Sequence, residues 1–298
     1  MTRLRVIGSL AVLAACLALV TPAAAQDLDA SAFFGNLGFP WAGETPLPAT
    51  PYPADQWLYG GSIAFSQDFG EGLSLRADYR TDTVLHHLVS GMLTYKAGLA
   101  SISAGPMLGT FNTAQTPLKA GIGIGFRLEA PGVAYFSARA DSSMGAGLVA
   151  VGDYSQERSE LTAGWYVFNA ICSVSMQTRR YTRILSSGDP LVDASTAYAF
   201  SVDVNKKSAP YRVLVDLGYQ NWTRTYTGGT IDGLGALVLG AQVSADLSPT
   251  LTIVTGLDSG VYVFGTDALL GNGPAATSFM FSATMGCVVH LGVATKAN

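Results

Sequence analysis

The chain has 298 residues, of which 49% are hydrophobic and only 13% are charged, and it contains 34 glycines. This composition excludes a disordered chain and a Lys/Glu-rich helical protein. Its 17 Lys and Arg residues are scattered and are outnumbered by 21 Asp and Glu residues, which argues against a nucleic acid as partner. After residue 25 no apolar run reaches the roughly 18 residues of a membrane-spanning helix.

The N-terminus has the three parts of a secretory signal peptide: two arginines, an apolar run and an Ala-x-Ala site that ends at residue 25. We therefore predict that residues 1–25 are removed and that residues 26–298 form a single exported domain. An alternative lipoprotein box ends at Cys16, but cleavage there would leave an apolar N-terminus. Only Cys172 and Cys287 remain in the mature chain; both lie in apolar sets, so we predict small hydrophobes and neither a disulfide, a metal site nor a cofactor.

Segment after segment alternates apolar and polar residues with a period of two, which is the pattern of β-strands. In residues 119–129, for example, Ile122, Ile124 and Phe126 oppose the glycines at positions 121, 123 and 125. Strands of this kind are predicted over residues 72–81, 119–129, 196–205, 211–226 and 278–291. The spacing of an amphipathic helix is almost absent, so we predict an all-β fold.

Three features favour a transmembrane barrel over a soluble β-sandwich. The segments are about ten residues or longer, which is the length that a tilted strand needs to cross a bilayer. The polar face is rich in Gly, Ser and Thr, as a water-filled lumen requires. Aromatic residues lie near the ends of the apolar face, as in the girdles of outer-membrane barrels. They are Phe69, Tyr95, Phe126 and Tyr211 beside short turns, and Tyr79, Tyr198 and Phe279 towards longer loops.

Short and long connections alternate along the chain, as periplasmic turns and outer loops do. Short ones are predicted at residues 69–72, 96–98, 129–132, 177–179, 205–210 and 247–250, and longer ones at 110–118, 151–159, 186–195, 227–232 and 266–276. Phase changes at Gly91 and at residues 167–168 are interpreted as bulges. With a short strand added at residues 31–38 and a first outer loop at 40–55, the prediction is an antiparallel up-and-down barrel of fourteen strands. The alternative is twelve strands, with residues 40–55 as a periplasmic tether.

With these features, residues 26–291 resemble the transmembrane β-barrels of Gram-negative-type bacterial outer membranes. The resemblance implies contact with outer-membrane lipids and insertion by the barrel-assembly machinery. Such barrels usually end in an aromatic residue, whereas this chain continues through residues 293–298 to Asn298. The resemblance identifies a class and no particular porin family.

Few residues carry the chemistry of an outer-membrane enzyme, which needs an activated His. His86 and His87 follow Asp82 in a tight loop, which weakly resembles the Asp–His pair of outer-membrane proteases, but the spacing differs. His290 lacks the neighbouring Ser-Asn of lipid hydrolases and is predicted as a polar lumen residue. We therefore predict no catalytic residue.

Inward-facing charges are the stronger functional indication. The alternation places seven charged residues in the middle or upper lumen: Arg76, Asp78, Arg80, Arg139, Asp216, Arg224 and Asp258. In a confined aqueous space these charges would set an ion preference. The competing interpretation is that the arginines and aspartates pair with each other and stabilise a shut interior.

The sequence therefore predicts a porin-like channel for small hydrophilic solutes or ions. One alternative is a non-conducting surface barrel that binds a ligand or host molecule through its outer loops. Another is a transporter of apolar ligands.

Overall fold

The computed structural model describes residues 26–36, 58–82, 87–110, 119–143, 154–185, 187–205, 209–226, 231–265 and 280–291. The predicted signal peptide, the Cys16 box, His86, Phe279 and residues 292–298 lie outside these ranges. No helix among the described residues has the length and apolar character needed to cross a membrane.

Fourteen antiparallel strands close into one barrel. They are β1 (Gln26–Gly35), β2 (Leu58–Gly70), β3 (Leu73–Asp82), β4 (His87–Ala97), β5 (Ala100–Thr110), β6 (Lys119–Ala130), β7 (Ala134–Ser143), β8 (Tyr154–Val167), β9 (Ala170–Ile184), β10 (Pro190–Val204), β11 (Tyr211–Tyr226), β12 (Ile231–Ser248), β13 (Leu251–Gly265) and β14 (Met280–Leu291). Each strand pairs with its neighbours in sequence, and β1 pairs with β14. The prediction of fourteen strands is confirmed, and the alternative of twelve is wrong. The first strand begins at Gln26, earlier than the predicted residue 31.

The outer surface of the barrel carries the apolar set of each strand. On β6, Ile122 and Ile124 are 46% and 55% exposed, while the alternating glycines face inward. On β11, Leu217 is 57% exposed. Large apolar patches of this kind are unfavourable in water but are solvated by lipid tails. The chain is therefore a transmembrane barrel of the outer-membrane type, as the alternation predicts.

Aromatic residues mark the two ends of this apolar band. Phe69, Tyr95 and Tyr211 are all more than half exposed and lie beside the short turns. At the opposite end the ring of Tyr79 stacks on His87, with 6.0 Å between ring centroids. These positions agree with the predicted girdles.

The seam between β1 and β14 is closed along its whole length. Ten residue pairs join the strands, from Gln26↔Leu291 to Gly35↔Ser282. At the outer end Asn36 Oδ1 accepts a hydrogen bond from the Phe281 amide at 2.8 Å. Closure satisfies the backbone groups that an open sheet edge would expose to lipid.

One predicted turn is wrong, and the bounds of β8 and β9 therefore differ from the prediction. Residues 177–179 lie within β9, and the chain reverses instead at Phe168 and Asn169. Phe168 has a φ of 52°, a conformation unusual for an aromatic residue, so the sequence gives little turn signal there. The phase change at residues 167–168 is therefore caused by this turn and not by a bulge. As a consequence β8 begins at Tyr154, inside the predicted loop 151–159.

The second predicted bulge, at Gly91, is also wrong. Ser90 pairs with Met107 and Leu93 with Ala104, so the β4–β5 register is the same on both sides of Gly91. Met92 and Met107 are apolar but face inward, where they are 4% and 3% exposed. These apolar residues on the lumen side therefore gave the sequence the pattern of a phase change, although the register does not shift.

Candidate lumenal site

A cavity of about 380 Å³ lies inside the barrel, between β1–β5 on one side and β7–β9 on the other. Three of the predicted lumen residues, Arg76, Asp78 and Arg80, line it from β3. Successive same-face residues on a strand are two apart, which explains why all three reach the same space. Ser66 Oγ accepts a hydrogen bond from Arg76 Nη1 at 3.3 Å.

Asp78 is the most buried charge of this cavity, with a side chain that is 2% exposed. Its Oδ2 accepts a hydrogen bond from Ser90 Oγ at 2.9 Å and lies 3.4 Å from Arg80 Nε. Its Oδ1 has no hydrogen-bond partner among the described residues. The predicted alternative of mutual pairing therefore applies to Arg80 and Asp78.

Other arginines of the lumen form the same kind of pair, two residues apart along one strand. On β7, Arg139 Nη2 lies 3.2 Å from Asp141 Oδ1. On β8, Arg158 Nη2 lies 3.3 Å from Glu160 Oε2. The two-residue period explains the recurrence, because residues i and i+2 share a face.

Arg158 and Arg179 are functional candidates that the sequence interpretation missed. The predicted loop at 151–159 and the predicted turn at 177–179 removed them from the set of strand residues. In the structure Arg158 and Arg179 are directly opposite each other on β8 and β9, and both line the cavity. Arg158 also lies within electrostatic range of Arg80 and Arg139. We call Arg80, Arg139, Arg158 and Arg179 the basic wall.

Glycines on β6 make room for this wall. A Cβ atom added at Gly123 would lie 2.5 Å from Asp141 Oδ1 and 2.9 Å from Met92 Sδ. Side chains of β4 and β7 therefore lean over a strand that has none at this position. The predicted role of the β6 glycines, to leave space on the lumen side, agrees with this packing.

Asp216 and Asp258 face the lumen from another part of the circumference. They lie on β11 and β13, and Gly240 of β12 is opposite both. A Cβ atom added at Gly240 would lie 2.6 Å from Asp216 Oδ1 and 2.5 Å from Asp258 Oδ1. Neither carboxylate forms an ion pair or hydrogen bond with another described residue. We call these two residues the acidic wall.

The backbone of Arg224, the last predicted lumen residue, lies on β11, opposite Asp193 and Asp232. Its side chain lies outside the description, as does that of Asp82. His87 accepts or donates a hydrogen bond of 2.7 Å through Nδ1 to the Tyr79 hydroxyl. Because His87 stacks on Tyr79 in the outer girdle, it is turned away from the lumenal carboxylates.

Near the short turns several charges are paired with each other. Glu129 accepts hydrogen bonds from Arg127 Nε at 3.2 Å and from the Tyr166 hydroxyl at 2.7 Å. The Arg127 guanidinium also lies 4.3 Å from the ring centre of Tyr135. His290 Nδ1 lies 2.7 Å from Asp27 Oδ1, which links β14 to β1 near the predicted periplasmic mouth. These groups stabilise the wall of the barrel.

Within the described ranges no group of three or more His, Cys, Asp or Glu residues could hold a metal ion. Cys172 and Cys287 are free thiols of intermediate exposure. By register Cys172 shares the face of Trp165 and Val202, which is the lipid side.

No family model matches the chain, and no curated protein matches it. Solved structures of similar architecture include the outer-membrane expressed OmpT of Vibrio cholerae, with 10% identity, a TM-score of 0.44, and coverage of 91% of this chain and 99% of that chain. An outer membrane channel from Pseudomonas putida F1 has 9% identity and a TM-score of 0.48, covering 91% and 97%. A NanC porin has 12% identity and a TM-score of 0.41, covering 88% and 98%. The likeness is one of overall architecture at very low sequence identity.

Proposed function

We propose that this protein is an outer-membrane channel that passes small hydrophilic solutes or ions through the lumen of the barrel. The observation that carries the proposal is the set of lumenal charges that have no ion pair or hydrogen bond among the described residues: Asp216 and Asp258 on the acidic wall, and Arg179 on the basic wall. A shut polar interior would have to pair these charges, because an unpaired ion in a dry environment is strongly disfavoured. Water and mobile ions in an open lumen solvate them instead.

The distribution of charge favours a selective channel over an inert pore. The unpaired positive charge of Arg179 lies on β9, and the unpaired carboxylates lie on β11 and β13, so charges of opposite sign face the lumen from different parts of the circumference. Charges that line a narrow aqueous path act on ions at close range. We propose that Arg76, Asp78, Arg80, Arg139, Asp216, Arg224 and Asp258 set the ion preference.

The same proposal covers the surroundings of the barrel. Outer-membrane lipids contact the apolar outer surface, and the barrel-assembly machinery inserts the chain after residues 1–25 have been removed. The mature polypeptide, residues 26–298, is therefore the species to refold.

Planar-bilayer recordings test the channel. The refolded mature protein should give single-channel conductance, and the double change Asp216→Asn with Asp258→Asn should move the reversal potential in a salt gradient towards anion preference. Glu71→Gln is the matched control, since it removes one acid at the exposed β2–β3 turn and not in the lumen. Folded protein without conductance would contradict the channel and favour the surface-binding barrel.

A further inference from the structure

The most unusual electrostatic feature of the lumen is the direct opposition of Arg158 and Arg179. Residues that face each other across two strands lie close together, and like charges in such positions are destabilising. Here both arginines also line one cavity.

No described acidic residue near the pair bridges the two arginines. Asp141, opposite Arg158 on β7, accepts hydrogen bonds of 3.2 Å from Arg139. Glu160 accepts one hydrogen bond from Arg158 at 3.3 Å, and Arg158 Nε has no partner among the described residues. Glu157 also lines the cavity, but its backbone is opposite Arg180, and it forms no ion pair with Arg158 or Arg179 among the described residues.

Among the described residues, no acidic residue is directly opposite Arg179 or two positions from it on β9; the same-face acids Glu160 on β8 and Asp193 on β10 are diagonal to it. The same-face residues on β9 are Gln177 and Tyr181, and the residue opposite on β10 is Ser195. Arg179 forms no hydrogen bond or ion pair within the described part of the chain. The excess positive charge of the cavity is therefore concentrated where two arginines meet.

We propose that this cavity binds a small oxyanion, a carboxylate or a phosphate, between the guanidinium groups of Arg158 and Arg179. Planar guanidinium groups match the oxygens of such anions and form strong charge-assisted hydrogen bonds with them. A bound oxyanion also removes the repulsion between the two arginines. The cavity, at about 380 Å³, has the size of a small-ligand site. The site deepens the proposed function, on which it rests, because it names the class of solute that the channel would select.

Thermal unfolding of the refolded protein in detergent tests the site without requiring conductance. Inorganic phosphate should raise the unfolding temperature of the wild-type protein more than chloride does at equal ionic strength. In Arg179→Gln the unfolding temperature without phosphate should rise, because the repulsion is gone, and phosphate binding should weaken by about tenfold or more. Equal stabilisation by chloride and phosphate would mean charge screening alone and would overturn the site.

Arg180→Gln is the matched control. Arg180 is adjacent, lies on the same strand and is exposed on the opposite face, so its replacement should leave phosphate binding unchanged. Equal weakening by the Arg179 and Arg180 variants would contradict the site. If Arg179→Gln fails to fold, Arg179→Lys decides the question, since it keeps the charge and loses the planar fork. Its phosphate binding should weaken, and wild-type affinity would overturn the proposal.

Bilayer recordings then separate the site from the channel. Phosphate should reduce single-channel current in wild-type protein at lower concentrations than in Arg179→Gln. Phosphate binding in detergent by a protein that never conducts would leave the site standing and overturn the channel. Conductance without any specific effect of phosphate would leave the channel standing and overturn the site.

Discussion

The basic wall and the acidic wall are built by the same device and differ in how their charges are satisfied. In each wall, side chains of other strands lie over an inward glycine: Asp141 and Met92 over Gly123 on β6, and the two carboxylates over Gly240 on β12. In the basic wall three of the four arginines form an ion pair with an acid two residues along the same strand. Arg179 forms no such pair with a described residue. In the acidic wall no described arginine approaches Asp216 or Asp258. The contrast indicates that the basic wall is stabilised largely by pairing, and under the proposed function the remaining charges would act on the solute.

The largest expected effect distinguishes the lumen from the lipid side of the acidic wall. Leu217 and Asp216 are neighbours on β11 that face opposite sides, and Ser201 of β10 is opposite Asp216. Leu217→Arg should reduce the free energy of unfolding by about 2–4 kcal/mol, since it places a charge in lipid. Ser201→Arg should cost far less, because it places a positive charge opposite Asp216 on the lumen face. Denaturant titrations in lipid vesicles measure both, and equal costs would contradict the assignment of faces.

A smaller effect separates paired from unpaired carboxylates. Asp78→Asn should destabilise the barrel by about 1–3 kcal/mol, because the buried carboxylate accepts a hydrogen bond from Ser90 and faces Arg80. Asp258→Asn should instead stabilise it by about 1 kcal/mol or less, because it ends the repulsion with Asp216. Unfolding free energies of both variants in the same detergent test the difference. A loss of stability in Asp258→Asn would show that this carboxylate has a structural partner.

Much of the fold follows from the period of two, and the errors follow from residues that break it. The predicted bulge at residues 167–168 rests on a change of phase, and the predicted turn at residues 177–179 rests on ordinary rules for turn composition. A polar run such as Gln177-Thr178-Arg179 satisfies those rules, although Gln177 and Arg179 are strand residues that face the lumen. Inward methionines such as Met92 cause the same kind of error, because an apolar residue is expected on the lipid-facing side of a strand.

The candidate site was predictable only where the strand assignment was correct. Arg80 and Arg139 lie on regular strands, so the alternation places them in the lumen. Arg158 and Arg179 require the β8–β9 register, which a single sequence does not contain. The position of Asp216 and Asp258 over Gly240 likewise depends on pairing across three strands.

The smallest expected effect concerns the glycine of the acidic wall. In Gly240→Ala the new methyl group would lie 2.5 Å from Asp258 Oδ1, so the two carboxylates must rotate away from the strand. Because these atoms are the ends of flexible side chains, the stability loss should stay below about 1 kcal/mol. Gly256→Ala is the matched control, since its nearest heavy atom would be 3.5 Å away.

If the acidic wall sets cation preference, the Gly240 variant should shift the reversal potential while the Gly256 variant leaves it unchanged. If both variants have the same reversal potential, the position of the two carboxylates does not affect ion selectivity. The basic wall would then be the remaining source of ion preference.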